Sequence, residues 1–148
     1  MLSPDQNDSL HLTAYVDGAC RGNPGPASCA AILVHDGAVV RKAGKFLGNA
    51  TNNVAEYSGL LLALKKAAEF GNCRRLTVYT DSQLMARQIS GAYKVKDPQL
   101  KRLKAEADTL IERFDTFEIH DIPRGDNSLA DNFANETLDL GLEKQRGP

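Results

Sequence analysis

Two short runs, each followed by an aspartate and with a helical segment among the residues between them, constrain this chain more than any other feature. The first is LHLTAYV at residues 10–16, with Asp17-Gly18 behind it; the second is RLTVYT at 75–80, with Asp81-Ser82 behind it. The first run alternates apolar and polar residues, as a half-buried strand does. Between the two, Val54, Tyr57, Leu61, Leu64 and Ala68 recur at helical spacing. A helix there lets the second run cross back and lie parallel to the first, with a right-handed crossover as the default. Both aspartates then emerge at one carboxyl edge, where open α/β sheets bind ligands.

The remaining segments fill in the order. Asp17-Gly18 ends the first strand, and ACRGNPGPA (19–27) reads as a Gly/Pro loop. SCAAILV (28–34) and residues 38–47 read as two more strands, joined at the hairpin signal Asp36-Gly37. Asn52 or Asn53 can cap the long helix. Asp81-Ser82 opens a short helix ending near Ser90, and Asp97-Pro98 starts another with the stripe Leu100, Leu103, Ala107, Leu110 and Phe114. FEIHDI (117–122) is a fifth strand, and Ser128 begins a last helix running to Leu140. The order β-β-β-α-β-α-α-β-α predicts a mixed sheet with helices on its faces.

The length of 148 residues favours one domain, expected over 10–140 between a flexible start (1–9) and a flexible tail (141–148). No apolar run approaches the roughly 20 residues of a membrane span. Residues 1–9 have neither the basic nor the apolar region of a signal peptide; a cytoplasmic monomer with no membrane partner and no organic cofactor is expected. Three cysteines (Cys20, Cys29, Cys73) without a CxxC pair argue against a disulfide framework and a structural zinc site. The net charge of −1 hides an uneven distribution: residues 84–104 hold six bases and one acid, and residues 105–140 hold two bases and ten acids. Such a pairing fits either two solvated helix faces or a phosphate-tracking surface beside a metal site.

Asp17 and Asp81 at one sheet edge would repel and raise each other's pKa unless a cation lay between them, and a hard divalent ion takes oxygen ligands. Taken singly, each also reads as a turn or helix-cap residue. Glu56 is expected in the first turn of the long helix, where it can offset the helix dipole. Asp131 follows Ser128 by three, the spacing of a capping box. The loop DGACRGNPGPAS lets backbone approach a ligand closely, but it has neither the GK[ST] of a P-loop nor a dinucleotide fingerprint.

The stretches YVDGACRGNPGPAS, TNNVAEYSGLLLAL, VYTDSQL and IPRGDNSLADNFANETLD stand in an order that resembles the type 1 ribonuclease H family across residues 12–140. The resemblance implies an α/β ribonuclease H-like fold: a five-stranded mixed sheet of order 3-2-1-4-5, strand two antiparallel, with helices on both faces. It implies metal-dependent hydrolysis of the RNA strand of RNA–DNA hybrids, leaving 5′-phosphate and 3′-hydroxyl ends. It implies four acids, Asp17, Glu56, Asp81 and Asp131, holding two Mg²⁺ ions that Mn²⁺ can replace, in a two-metal displacement. The 2′-hydroxyl reading maps onto the Gly18, Ala19 and Cys20 backbone, Asn53 and Gln83; DNA phosphate contacts map onto Asn23, Thr51 and Asn52. Many members carry a histidine before the last acid. Here residues 123–130 have none, and Arg124 stands where a subset has arginine, able to meet a phosphate but not to shuttle protons near neutral pH. No long basic protrusion is present; Lys94, Lys96, Lys101 and Arg102 can contact phosphates in its stead. A non-catalytic binding module, a DNA-directed nuclease of the same fold, and a small-molecule α/β enzyme are the competing classes. The four acids oppose the first, the DGACRGNPG and TNN segments the second, and the lack of a cofactor loop the third.

Overall fold

The computed structural model describes residues 9–147. Its elements run β1 (Leu10–Cys20), β2 (Gly25–His35), β3 (Ala38–Ala50), α1 (Asn52–Ala68), β4 (Cys73–Thr80), α2 (Gln83–Ser90), α3 (Pro98–Ile111), β5 (Thr116–Asp121), a 3-10 turn (Arg124–Asn127) and α4 (Ser128–Arg146). The strands form one sheet of order β3-β2-β1-β4-β5. β2 is antiparallel to β1 and β3, while β4 is parallel to β1 and β5. The expected order and directions therefore hold. At the β2–β3 hairpin Asp36 and Gly37 both take positive φ, 49° and 78°, as a tight primed turn requires.

Several boundaries differ from expectation, each for a physical reason. Asp17-Gly18 does not end β1. The parallel ladder to β4 stops at Val16↔Thr80, but the antiparallel ladder to β2 runs on to Cys20↔Ala27. Asp17 is thus the first residue past the parallel ladder, inside a strand that continues. The loop shrinks to 21–24 and includes a cis Asn23–Pro24 bond. The cap of α1 is Thr51, whose hydroxyl accepts from the Val54 N–H at 3.2 Å, rather than Asn52 or Asn53. The last helix does not stop at Leu140 but continues to Arg146, so the expected loose tail is helical over 141–146. Gly141 cannot act as a terminator there because it is buried against β3: a Cβ on it would collide with the Phe46 ring. Of the expected flexible start, residues 1–8 lie outside the described residues.

The main core lies between the sheet and α1, with α3 behind. That position buries α1 on more than its expected stripe: Ala55, Leu60, Ala63 and Ala67 join Tyr57, Leu61 and Leu64. α4 covers β1, β2 and β3 through a second, smaller core of Ala19, Ala30, Ala134 and Leu138. Small side chains there let the helix sit close, and the Ser28 hydroxyl donates to the Ala134 carbonyl.

α1 meets β1 almost backbone to backbone. A Cβ on Gly18 would stand 2.6 Å from the Ala55 carbonyl carbon and 2.7 Å from the Glu56 nitrogen. A Cβ on Gly59 would stand 3.0 Å from the Asp17 main-chain carbonyl oxygen. Gly18→Ala is therefore expected to cost about 1–3 kcal/mol, as overpacking does. Gly59→Ala is expected to cost less, because alanine recovers about 1 kcal/mol of helix propensity. Urea midpoints of the two variants check that ranking; a Gly18→Ala protein as stable as the parent would contradict the close approach.

Candidate active site

Four carboxylates arrive from four elements. Asp17 sits in β1, just past its parallel ladder. Asp81 follows β4 immediately, held between the buried Thr80, whose hydroxyl accepts from the Ser82 N–H at 3.0 Å, and Ser82, which caps α2. Glu56 comes from α1, in its second turn and not its first, so dipole compensation is not its main role. Asp131 comes from the first turn of α4. Its capping-box reading fails: Ser128 is already helical, and Asn127 occupies the cap position with no capping bond.

One oxygen each from Asp17, Glu56 and Asp81 lies within 4.8 Å of the others. Asp17 is 2% exposed. Its Oδ1 accepts the Gly18 N–H at 2.9 Å, while Asp17 Oδ2 and Glu56 Oε2 are buried with no donor. Burial, then the Asp81 charge, push the Asp17 carboxyl up to about 8. Burial, then the Asp17 charge, push Glu56 up to about 9. Two full carboxylate charges about 5 Å apart repel by about 3 kcal/mol at an effective dielectric of about 20. A hard divalent cation reverses that sign, and orphaned buried oxygens at this spacing are the donor set it takes.

Glu56, Asp81 and Asp131 open onto a cavity of about 430 Å³, whereas the buried Asp17 is not part of its lining. Gly18, Ala19, Cys20, Asn52 and Asn53 line it beside Glu56, Asp81 and Asp131. Asn23, Thr51 and Gln83 do not. Asn23 Oδ1 accepts the Asn52 N–H at 3.0 Å and so ties the loop to the start of α1; Thr51 is the cap of α1; Gln83 is exposed at the start of α2. Arg124 is at the rim, its side chain 84% exposed and its Nε 4.0 Å from Asp81 Oδ2. Lys94, Lys96, Lys101 and Arg102 are all exposed.

Three participants were not read from the sequence. Ser82 and Asn135 line the cavity. Asn127 is fully buried below it, donating from Nδ2 to the Val16 carbonyl at 2.9 Å and so pinning the start of α4 to β1. In sequence Asn127 looks like any loop asparagine. Asn135, four residues beyond Asp131, carried a usable signal, since such pairs share a helix face.

Comparison with known proteins places this geometry. A family model described as reverse transcriptase-like matches residues 15–137. The chain is 44% identical over 140 residues to the ribonuclease HI of Halobacterium salinarum, covering 94% of this chain and 69% of that protein. Curated mycobacterial relatives match at 39% identity, and the chain spans 37% of their length. Among solved structures, the N-terminal RNase H domain of a Mycobacterium tuberculosis protein aligns with a TM-score of 0.88 at 36% identity, covering 93% of this chain and 99% of that one. A ribonuclease H solved in complex with an RNA/DNA hybrid aligns at 0.84 with 37% identity, covering 88% and 99%. Among the described residues, no helix is long and apolar enough to cross a membrane.

The raised pair dictates a pH dependence. Unfolded carboxyls titrate near 4. Between there and about 8 to 9 the folded, metal-free protein holds protons that the unfolded chain releases. The stability tied to Asp17 and Glu56 is therefore full below pH 4 and lost as pH rises through 8 and 9. In EDTA the melting temperature is expected to fall from pH 5 to pH 9, with a smaller fall in Asp17→Asn. A divalent ion is expected to flatten the curve. An identical slope in the variant would break the assignment.

Proposed function

The chain belongs to the ribonuclease HI family and is a ribonuclease H, hydrolysing the RNA strand of RNA–DNA hybrids, and from that premise we propose how its residues divide the work. The observation that carries the proposal is the cluster of three carboxylates within 4.8 Å, two with orphaned buried oxygens. Asp17, Asp81, Glu56 and Asp131 would hold two Mg²⁺ ions, Asp17 contributing to both, Asp81 to one and Glu56 and Asp131 to the other. When bound, such a pair activates the attacking water and stabilises the leaving 3′ oxygen in an in-line displacement, with Mn²⁺ as a substitute.

The chain's own residues do the rest. Asp17, anchored by the Gly18 N–H and by the β1 ladders, supplies a fixed reference for the other acids. The Gly18, Ala19 and Cys20 backbone and Asn53 form the wall against which an RNA 2′-hydroxyl is read, the group that tells RNA from DNA. Asn52 adds a DNA phosphate contact from the same wall. Thr51 and Asn23 shape that wall while remaining candidates for phosphate contact, and Gln83 reaches the hybrid from the exposed start of α2. Arg124 meets a phosphate beside Asp81; fixed in charge, it does not carry protons. Lys94, Lys96, Lys101 and Arg102 track the backbone by counterion release. The protein acts as a cytoplasmic monomer with no organic cofactor.

The test is a labelled RNA strand paired to DNA, paired to RNA, or alone, with Mg²⁺, Mn²⁺ or EDTA. Cleavage is expected in the hybrid alone and not in EDTA. Asp17→Asn and Asp81→Asn are expected to lower turnover by about 10³-fold or more, equivalent to about 4 kcal/mol, with the fold retained by circular dichroism. Residual turnover near the parent rate in either would refute the two-ion reading. Arg124→Ala is expected to leave the melting temperature unchanged, because a pair stretched to 4.0 Å from a largely exposed arginine contributes under about 1 kcal/mol, and to lower turnover.

A further inference from the structure

Asn135 lies one turn beyond Asp131 on α4 and lines the acidic cavity. Its Nδ2 donates to the Asp131 main-chain carbonyl at 2.9 Å and reaches the Asp131 carboxylate Oδ1 at 3.4 Å. A carbonyl and a carboxylate only accept, so the orientation of the amide is forced: Nδ2 faces Asp131 and Oδ1 faces away. The bond to the i−4 carbonyl alone would make Asn135 an ordinary helix-surface amide. The second contact, to the carboxylate, ties it to the reaction's own machinery. Side chains four apart lie over one another on a helix, so the amide sits directly against the acid.

The next step along the same ridge supports a choice of amide over acid. Asp139 follows Asn135 by four and is paired with Arg21 from the loop after β1. The ridge therefore reads acid, amide, acid at Asp131, Asn135 and Asp139. A carboxylate in the middle would repel both neighbours and could not donate to Asp131.

We propose that Asn135 is a positioning residue for Asp131. Its carboxamide holds Oδ1 and fixes the rotamer of the carboxylate, leaving Oδ2 to the cation, and so sets how tightly this side of the cavity holds a divalent ion. The proposal rests on the two-ion reading above and adds to it the group that orients the fourth acid. Partners of this kind typically change metal affinity by about tenfold or more when removed.

Three variants test it: Asn135→Leu, which keeps the approximate shape and removes the donor; Asn135→Gln, which keeps a donor; and Asn135→Leu combined with Asp131→Ala. Mn²⁺ binding to the hybrid-free protein is measured by calorimetry, and the Mg²⁺ concentration for half-maximal cleavage is measured beside it. Asn135→Leu is expected to weaken Mn²⁺ about tenfold and to raise the Mg²⁺ requirement similarly, at an unchanged melting temperature. Asn135→Gln is expected to recover most of the loss. In the Asp131→Ala background Asn135→Leu is expected to change Mn²⁺ binding no further. Parent-like Mn²⁺ binding by Asn135→Leu would overturn the proposal while leaving the function intact. So would an equal loss with and without Asp131. A parent protein that binds no Mn²⁺ would overturn the two-ion reading and this proposal together.

Discussion

The site depends on how closely α1 can approach β1. Glu56 can stand beside Asp17 because the helix backbone at Ala55 and Glu56 lies against a strand position with no side chain. Gly18 leaves that space on the strand, and Gly59 leaves it on the helix one turn later. In sequence Gly18 looks like part of a loop that lets backbone approach a ligand. In the fold it also admits a helix, and the acids on the two elements meet as a result.

β1 serves as the common reference for everything else. α1 packs on it from one side and α4 from the other, through two separate cores. The larger core is built from leucines and carries most of the burial. The smaller one is mostly alanine, which stabilises less but permits proximity. Asn127 adds a directional link that alanines cannot, from the start of α4 to the Val16 carbonyl, one residue before Asp17. Each acid is therefore held by packing that would be present in a protein with no acids at all. Asp17 and Asp131 also take direct side-chain support, from the Gly18 N–H and from Asn135.

The strands, the meander and the crossover that sets β4 beside β1 were legible because hydrophobic period and turn chemistry are local, whereas the full order of the sheet came with the resemblance. Asp36-Gly37 and Asp97-Pro98 behave as their types demand. What failed was non-local. The β1 boundary at Asp17 failed because the antiparallel partner outlasts the parallel one, and no local pattern encodes two ladders of different length. The Gly141 boundary failed because Phe46, nearly a hundred residues away, covers that glycine. Asp17 and Asp81 could be paired from topology alone, whereas Glu56 and Asp131 were reached only through resemblance. Their spacing from Asp17 in sequence carries no information about distance in space. Gln83, Asn23 and Thr51 show the reverse case: the motif is present, but Gln83 is exposed at the start of α2, and the Asn23 and Thr51 side chains accept from backbone N–H groups at the start of α1.

The acid cluster also explains why so much structure converges on one edge. Buried carboxyls held above their ordinary pKa oppose folding at neutral pH, and their repulsion would relax if any of the four elements could shift. The strands cannot shift, because their ladders bracket Asp17. α1 cannot retreat without opening the leucine core, and α4 is pinned through Asn127 and Ser28. The conflict is thus stored in a rigid frame, and a cation entering the cavity would find carboxylates already in place. Cation binding then draws on repulsion that folding has already overcome, which makes affinity for the ion and stability of the metal-free fold two readings of the same electrostatic term.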